Sequence, residues 1–578
     1  LKPKGMSSSV LSFAAQERKV TSAMDISFVF NHTVFRISLF ISFTIFAVLT
    51  TTWVVTTLKF RRRLSEPNHN GEKADTEPVT MPYAIPWLGS ALGFLNEQGQ
   101  FYDSIHSRIS TAASMCTVRL GPEKSYIALS AAAVEAMFQS TKYVSSDKFV
   151  RMILQHGFSM PLEDVNKILK KHPKTPGTGQ DSIKGKAMFS QDPLLQKYLI
   201  SQDAVNVLMT KFIEVFKGAL ENDMTIPAKG ETTTIDLFHW LRGRMFIGTT
   251  TSIFGSYIFE VYPEIGDDFF AFDSGFLKVV YGTPKFLAGD VYGALQRCLK
   301  GTECWLNEAL PKLDGQLDPS EGSDWEPYLG CRLLKARQKL FDAAGLSMKA
   351  KASQEVGLLF GVASNAIPTT GWMLFHILSS PQDLLPRVLS EISTVQTPDG
   401  TLDIPKLITL PLFLSIYTET LRMYVAVNVT REVHADFVID GHLLKKGNTI
   451  MAPSWLGHRD PAVWNNLHPD HPPVNVFYAE RFLRQEGDKV VCSTAGLSGR
   501  YFPYGGGAHI CPGRIFAKHE ILAAVAMVLL SFEFEFVGWV NPFSKDKEER
   551  FPSTKKGYVG NGVMAADRDM RVRVRRKN

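Results

Sequence analysis

The residues best equipped for chemistry in this 578-residue chain lie in one loop, Tyr501-Phe502-Pro503-Tyr504-Gly505-Gly506-Gly507-Ala508-His509-Ile510-Cys511-Pro512-Gly513-Arg514. Three consecutive glycines let the backbone adopt conformations closed to other residues and approach a flat ligand closely. They also leave amide N–H groups free to face a buried sulfur. A helix starting near Pro512 brings its positive end to the same place, and proline suits a first helical turn. Both effects favour the thiolate, the form of cysteine that binds metal. An iron held by one thiolate, as in some haem proteins, is the chemistry such a loop serves. The competing reading is a buried free cysteine in a glycine-rich turn.

Two further constellations precede the loop. The apolar stretch Gln354–Leu378 carries a fault, Val362-Ala363-Ser364-Asn365-Ala366-Ile367-Pro368-Thr369-Thr370. Pro368 has no N–H, so the Ser364 carbonyl loses its helical partner and a polar notch opens beside Asn365. Without a ligand, the same run is a proline-kinked core helix. In Tyr417-Thr418-Glu419-Thr420-Leu421-Arg422, Glu419 and Arg422 are three residues apart and share a helix face. Arg481, in Ala479-Glu480-Arg481-Phe482, is placed later in the chain to bond the same glutamate. If the three are buried, they must satisfy one another, because removing one strands a charge.

These motifs, in this order, resemble the cytochrome P-450 superfamily. The loop is similar to that family's haem-binding pattern FxxGxRxCxG, matched here by Tyr504, Gly507, His509, Cys511 and Gly513. Tyr504 stands where Phe is usual and adds a hydroxyl that needs a partner. His509 stands where Arg is usual and can still bond a haem propionate. Glu419, Arg422 and Arg481 match the structural triad that holds the scaffold behind the loop. The run from Asn365 to Trp372 resembles the subgroup of sterol 7α- and 12α-hydroxylases and prostacyclin synthase. The usual acid followed by threonine is missing, and Asn365 falls on either the acid or the alcohol position. The resemblance implies haem b, with Cys511 as axial ligand, and proton delivery by Asn365 with Thr369 or an ordered water. Arg431 is a propionate ligand or a solvent-facing strand arginine. Electrons would come from an NADPH-dependent cytochrome P-450 reductase, with cytochrome b5 as a further partner.

Other elements must place these groups. Hydrophobic residues at 45% and charged residues at 21% fit a protein with a large core, and the net charge of +6 gives no sign of nucleic-acid binding. Six scattered cysteines show no disulfide-framework spacing, which fits a reducing compartment. Ile37 to Leu58 has no charge and is long enough to span a bilayer, and Lys59 and Arg61-Arg62-Arg63 follow it. The segments read as a luminal stretch 1–36, a transmembrane anchor 37–58, a basic linker 59–80 and a cytosolic catalytic domain 81–578. A cleaved signal peptide is the competing reading of the apolar run. Asn31-His32-Thr33 is a glycosylation pattern on the luminal side, and Leu1 precedes the first methionine, Met6. Met81–Gly89 resembles the family's proline-rich hinge. A short strand, turn and strand are predicted at 118–130, mostly helix from 131 to 380, and a small sheet over 430–450.

The predicted fold is therefore mainly α with a small β region, a cytochrome P-450 fold behind an N-terminal transmembrane helix. The resemblance and the anchor together imply an endoplasmic-reticulum monooxygenase acting on a lipophilic sterol, terpenoid or similar secondary metabolite. The alternatives are a haem-thiolate isomerase rearranging a lipid peroxide without reductase, and a non-catalytic haem binder.

Overall fold

A computed structural model describes residues 8–577, apart from 66–75, 110–112, 171–191, 228–229, 314–316, 381–382, 399, 468–469, 543 and 545. Side chains of 8–34 and 192 also lie outside the description. The side chains of the glycosylation pattern at Asn31, the start at Leu1 to Met6 and the polar stretch 171–185 therefore fall outside it.

The N-terminal helix, Ser8–Ser65, extends beyond the apolar run at both ends. From Phe35 onward it is long and apolar enough to cross a membrane, and Phe40 and Phe43 are about 70% exposed. The threonines that dilute this run donate their hydroxyls to helix carbonyls, Thr44 to Phe40 and Thr52 to Val48, each at 2.8 Å. At the far end the surface changes. Phe60 is buried with Met81 and Phe94, and the Thr56 hydroxyl both accepts from the Tyr83 N–H (3.2 Å) and donates to its carbonyl (2.9 Å). The helix is thus joined to the body through the proline-containing segment.

The core is built around the long helix Met348–Ser379. The Ser347 hydroxyl caps it by accepting from Ala350 N–H, and the helix continues through Pro368. By composition it too could cross a membrane, but most of its surface is buried in the protein. The Leu237–Phe254 helix packs beside it and stops at Gly255, whose φ of +86° excludes other residues. The Pro411–Tyr424 helix begins on a proline, and its first free N–H groups, from Leu412 and Phe413, donate to the Glu391 carboxylate at 3.0 and 2.9 Å. Trp372 of the long helix stacks on Tyr424, with ring centres 3.7 Å apart.

The β structure is small. Met115–Leu120, Glu123–Ala128, Thr449–Pro453, Val425–Val433 and Asn561–Val563 form one sheet in that spatial order, with Val144–Ser145 paired to the Val425–Val433 strand. Along that path the contact between Thr449–Pro453 and Glu123–Ala128 is parallel and the others are antiparallel. A second sheet joins Lys547–Glu548, Phe532–Val540, Asp569–Arg576 and Thr233–Asp236. The basic tail is therefore a strand. Met570, Val572 and Val574 are buried, while Arg571, Arg573 and Arg575 point the other way to Asp236, Glu535 and Glu533.

Candidate active site

The cysteine loop is anchored from behind. Glu419 is fully buried and its carboxylate accepts from Arg422 Nε (2.7 Å) and Nη2 (2.8 Å), from Arg481 Nε (2.9 Å) and from Tyr478 N–H (3.1 Å). Arg422 Nη1 passes on to the His458 carbonyl at 2.9 Å. His458 Nε2 in turn accepts the Phe502 N–H, the start of the loop, at 3.1 Å. The Tyr501 hydroxyl donates to the Thr418 carbonyl (3.1 Å), and the Tyr504 hydroxyl shares a hydrogen with Tyr417. One helix therefore holds the charged scaffold and the loop together. The Tyr504 hydroxyl, anomalous in sequence, has Tyr417 as its partner.

Within the loop the glycines divide their work differently from the sequence expectation. Gly505 and Gly507 have φ of +70° and +67°. A Cβ on Gly506 would overlap the Phe138 ring, and one on Gly507 would overlap the Phe138 carbonyl. These two glycines admit the neighbouring helix Ala131–Gln139, not a ligand. Gly505 and Gly513 are not crowded: a Cβ added at Gly505 would make ordinary contact with Val429 at 3.5 Å, and one at Gly513 with Cys511 Sγ at 3.8 Å.

Cys511 N–H donates to the Tyr504 carbonyl at 3.0 Å, and the helix behind it starts at Arg514. Burial raises the Cys511 thiol above its ordinary value, and the N–H groups of Gly513 and Arg514 and the Arg514 charge pull it down. The expected stabilisation of the thiolate is present, but desolvation outweighs it. A cation bound to the sulfur reverses that balance, because a coordinating thiol is deprotonated outright.

Cys511 opens onto a cavity of about 320 Å³. One wall is the long helix through Gly361, Val362, Asn365, Ala366 and Thr369; another is the strand through Val425, Val427, Val429 and Arg431; the short strand Asn561–Val563 closes a third. The polar groups of the notch are already engaged. Asn365 Oδ1 accepts Val563 N–H at 3.0 Å, across 198 residues of chain. Its Nδ2 donates to the Ser364 hydroxyl at 3.3 Å, and the Thr369 hydroxyl donates to the Asn365 carbonyl at 2.7 Å. His509 lines the same cavity and lies 3.4 Å from the Ser146 hydroxyl.

Two charged groups in the lining have unfinished bonding. Arg431 donates to the Thr430 carbonyl, burial weakens its hold on the proton, and no ion-pair partner faces it among the described residues. Glu520, fully buried, bonds Thr249 through one oxygen and leaves the other unpartnered; burial pushes its carboxyl up to about 8. Motif spacing gives Glu520 no role. A lone acid in an otherwise apolar helix is the available signal. The roles of Tyr417, His458 and Gly562 escape it, because they depend on contacts across the fold.

These residues fit a haem. Cys511 would supply the thiolate for its iron. The aliphatic walls suit a flat macrocycle, and open space at Gly361, where a Cβ would meet nothing within 4 Å, leaves room for it. Arg431 is a half-buried cation without an ion-pair partner among the described residues, and suits an anion such as a propionate.

The comparisons agree with that geometry. The family model for cytochrome P450 matches residues 274–559. Cytochrome P450 monooxygenase calL of Penicillium decumbens is 28% identical, over 86% of this chain and 96% of that protein. Cytochrome P450 monooxygenase efuG of Hormonema carpetanum is 26% identical over 92% and 95%. Cytochrome P450 7A1 of Rattus norvegicus is 29% identical over a shorter stretch, 39% of this chain and 46% of that protein. Among solved structures, retinoic acid bound cyanobacterial CYP120A1 superposes with a TM-score of 0.60 at 16% identity, covering 87% of this chain and 99% of that one. The chain belongs to the cytochrome P450 superfamily, with the fold of that family. By class it is a P450 monooxygenase.

Proposed function

We propose that this enzyme inserts one oxygen atom from dioxygen into a lipophilic substrate, of sterol, terpenoid or related secondary-metabolite type, on a haem b held by Cys511. The observation that carries this reading is the cavity that gathers Cys511, Arg431 and the notch of the long helix between apolar walls. The haem, when bound, supplies the activation of dioxygen, and thiolate ligation favours O–O cleavage. The chain's own residues do the rest. Cys511 ligates the iron, with Tyr504, Gly507 and Gly513 shaping its loop. Arg431 and His509 receive the propionates. Val362, Val425, Val427 and Val563 exclude water and hold an apolar molecule. Thr369, bonded to the Asn365 carbonyl, and Asn365, bonded to Val563 N–H, keep a polar point in that wall from which a bound water can relay a proton.

Membrane attachment fits such a substrate. Near the N-terminal helix, Trp87, Leu92 and Leu95 are exposed, as are Phe286 and Leu287. The Gln98 amide donates to the Tyr281 hydroxyl at 3.3 Å and ties the two regions together. An apolar rim of this kind favours entry from a bilayer. Residues 37–58 are assigned as a single-pass anchor in the endoplasmic reticulum, with residues 1–36 luminal and the domain from 81 onward cytosolic, where an NADPH–cytochrome P-450 reductase, with or without cytochrome b5, delivers electrons.

The isomerase reading is kept for one reason: Asn365 and Thr369 do not make a free acid–alcohol pair, and rearranging a peroxide needs no proton relay. The reduced carbon monoxide difference spectrum is the first test, beside Cys511→Ala. A strongly red-shifted Soret band, lost in the variant, is expected; no haem in well-folded protein overturns the assignment. Turnover that requires NADPH and reductase supports oxygen insertion, whereas product formed from a lipid hydroperoxide without reductant selects the isomerase.

A further inference from the structure

A second cleft, of about 780 Å³, lies on the other side of the last turn of the Pro411–Tyr424 helix and shares no lining residue with the first cavity. Leu421 and Val425 face the first cavity; Arg422, Met423 and Tyr424 face the second. Its apolar side is aromatic. His376 stacks on Phe477, with ring centres 3.6 Å apart, and on Phe551 at 4.8 Å. Leu384, Val474, Val476 and Ala479 continue that surface.

The charges in its lining are of one sign. Among the described residues, Arg422 and Arg459 line it and no aspartate or glutamate does. Arg422 is satisfied by Glu419 and the His458 carbonyl. Arg459 is not. One of its amino groups donates to the Met423 carbonyl and its plane lies 3.8 Å from the Trp455 ring centre, but Nη1 is buried without an acceptor. Asp103, the acid whose charge bears on Arg459, does not line the cleft and accepts from Trp455 Nε1 at 2.8 Å. His376, buried and neutral, is bonded to the Tyr424 hydroxyl at 2.7 Å and offers no compensating anion. Burial and the neighbouring Arg422 charge push the Arg459 guanidinium down to about 9, as an unneutralised cation requires.

A buried donor left unmade is costly, and a buried charge without a counter-ion more so. We propose that this cleft binds an amphipathic organic carboxylate, its headgroup on Arg459 and its hydrocarbon part along the His376, Phe477 and Phe551 wall. One guanidinium nitrogen without an acceptor, in a cleft whose other polar pair, His376 and Tyr424, is neutral, matches a single negative charge. The long apolar wall separates this ligand from a bare inorganic anion. The site is distinct from the haem cavity and does not depend on the reaction assigned there.

The test uses the haem-loaded full-length protein in lipid nanodiscs with decanoate as probe. A ligand that binds only the folded state raises the melting temperature with its concentration. Decanoate is expected to raise it, without perturbing the Soret band, while decanol and chloride leave it unchanged. Arg459→Gln is expected to weaken the apparent affinity at least tenfold. Because that change also removes the contacts to Met423 and Trp455, Val476→Trp serves as a second variant. Val476 is exposed at the rim, so a bulky side chain there blocks the cleft without entering the core. Decanoate binding unchanged in a folded Val476→Trp protein overturns the proposal, as does equal stabilisation by decanol, stabilisation by chloride alone, or no stabilisation by decanoate.

Discussion

Glu419 is the residue on which most of the scaffold depends. Its two oxygens take four hydrogen bonds, three of them from guanidinium groups that are themselves fully buried. Breaking a buried pair strands the remaining charge at about 3–5 kcal/mol. Glu419→Gln keeps the volume but strands two arginines, and is expected to lose roughly that much stability in urea unfolding and to be recovered mostly without haem. His458 makes a different demand. Its Nε2 must stay unprotonated to accept the Phe502 N–H, and burial holds its value down to about 3 against an ordinary 6.5. The unfolded chain takes up a proton near 6.5 and the folded chain does not until near 3, so stability falls as pH is lowered through that window. The steepest slope is about 1.4 kcal/mol per pH unit for one histidine. His376, also held to about 3 by burial, adds to it with the same sign. His458→Asn is expected to flatten the acid limb by one proton, as read from urea midpoints at several pH values. An unchanged slope would mean that the ring already titrates in the folded state.

At the scale of elements, the contact between the long helix and the Asn561–Val563 strand sets the shape of the cavity. Asn365 Oδ1 fixes Val563 N–H, and a Cβ on Gly562 would overlap that same oxygen. Gly562→Ala therefore displaces either the Asn365 amide or the strand, and breaks the contact between them in both cases. Asn365→Ala leaves the strand in place without this hydrogen bond, a loss of about 1 kcal/mol. Both variants are expected to keep the haem spectrum and weaken the substrate-induced spectral shift, Gly562→Ala by tenfold or more and Asn365→Ala by a few-fold. If Asn365 serves only proton transfer, its variant will instead keep substrate affinity and lose turnover. The same measurement thus separates a clamp from a relay.

At the scale of the molecule, the N-terminal helix has two regimes. The exposed stretch from Phe35 to Leu58 is apolar enough to cross a membrane, while Phe60 belongs to the packed cluster with Met81 and Phe94. Removing residues through Leu58 is expected to release most of the protein from membranes on alkaline carbonate extraction, with any remainder held by the rim around Trp87 and Phe286. Removing residues through Leu64 also uncovers the cluster, and is expected to lower the melting temperature by several degrees, since burying one phenylalanine contributes about 1.5–3 kcal/mol. Equal melting temperatures for the two truncations would show that Phe60 contributes nothing to the body.

The sequence by itself was sufficient for the parts of this protein that are local. The cysteine loop, the Glu419 and Arg422 spacing, the proline in the long helix and the uncharged run before Lys59 are patterns of neighbouring residues. Their physical causes, backbone freedom, helical periodicity and transfer of apolar surface, act over a few turns of chain. Even the β structure was foreshadowed where turns and alternation were strong, as in the hairpin around Gly121. What only the tertiary structure decided depends on who meets whom. It gave Gly506 and Gly507 to Phe138, paired Tyr504 with Tyr417, turned Asn365 toward Val563 and left Arg431 and Arg459 without anions among the described residues. It also set the cost of burying Cys511 against the groups that favour its thiolate. None of these partners is near in sequence, and desolvation belongs to a site only once the chain has closed around it.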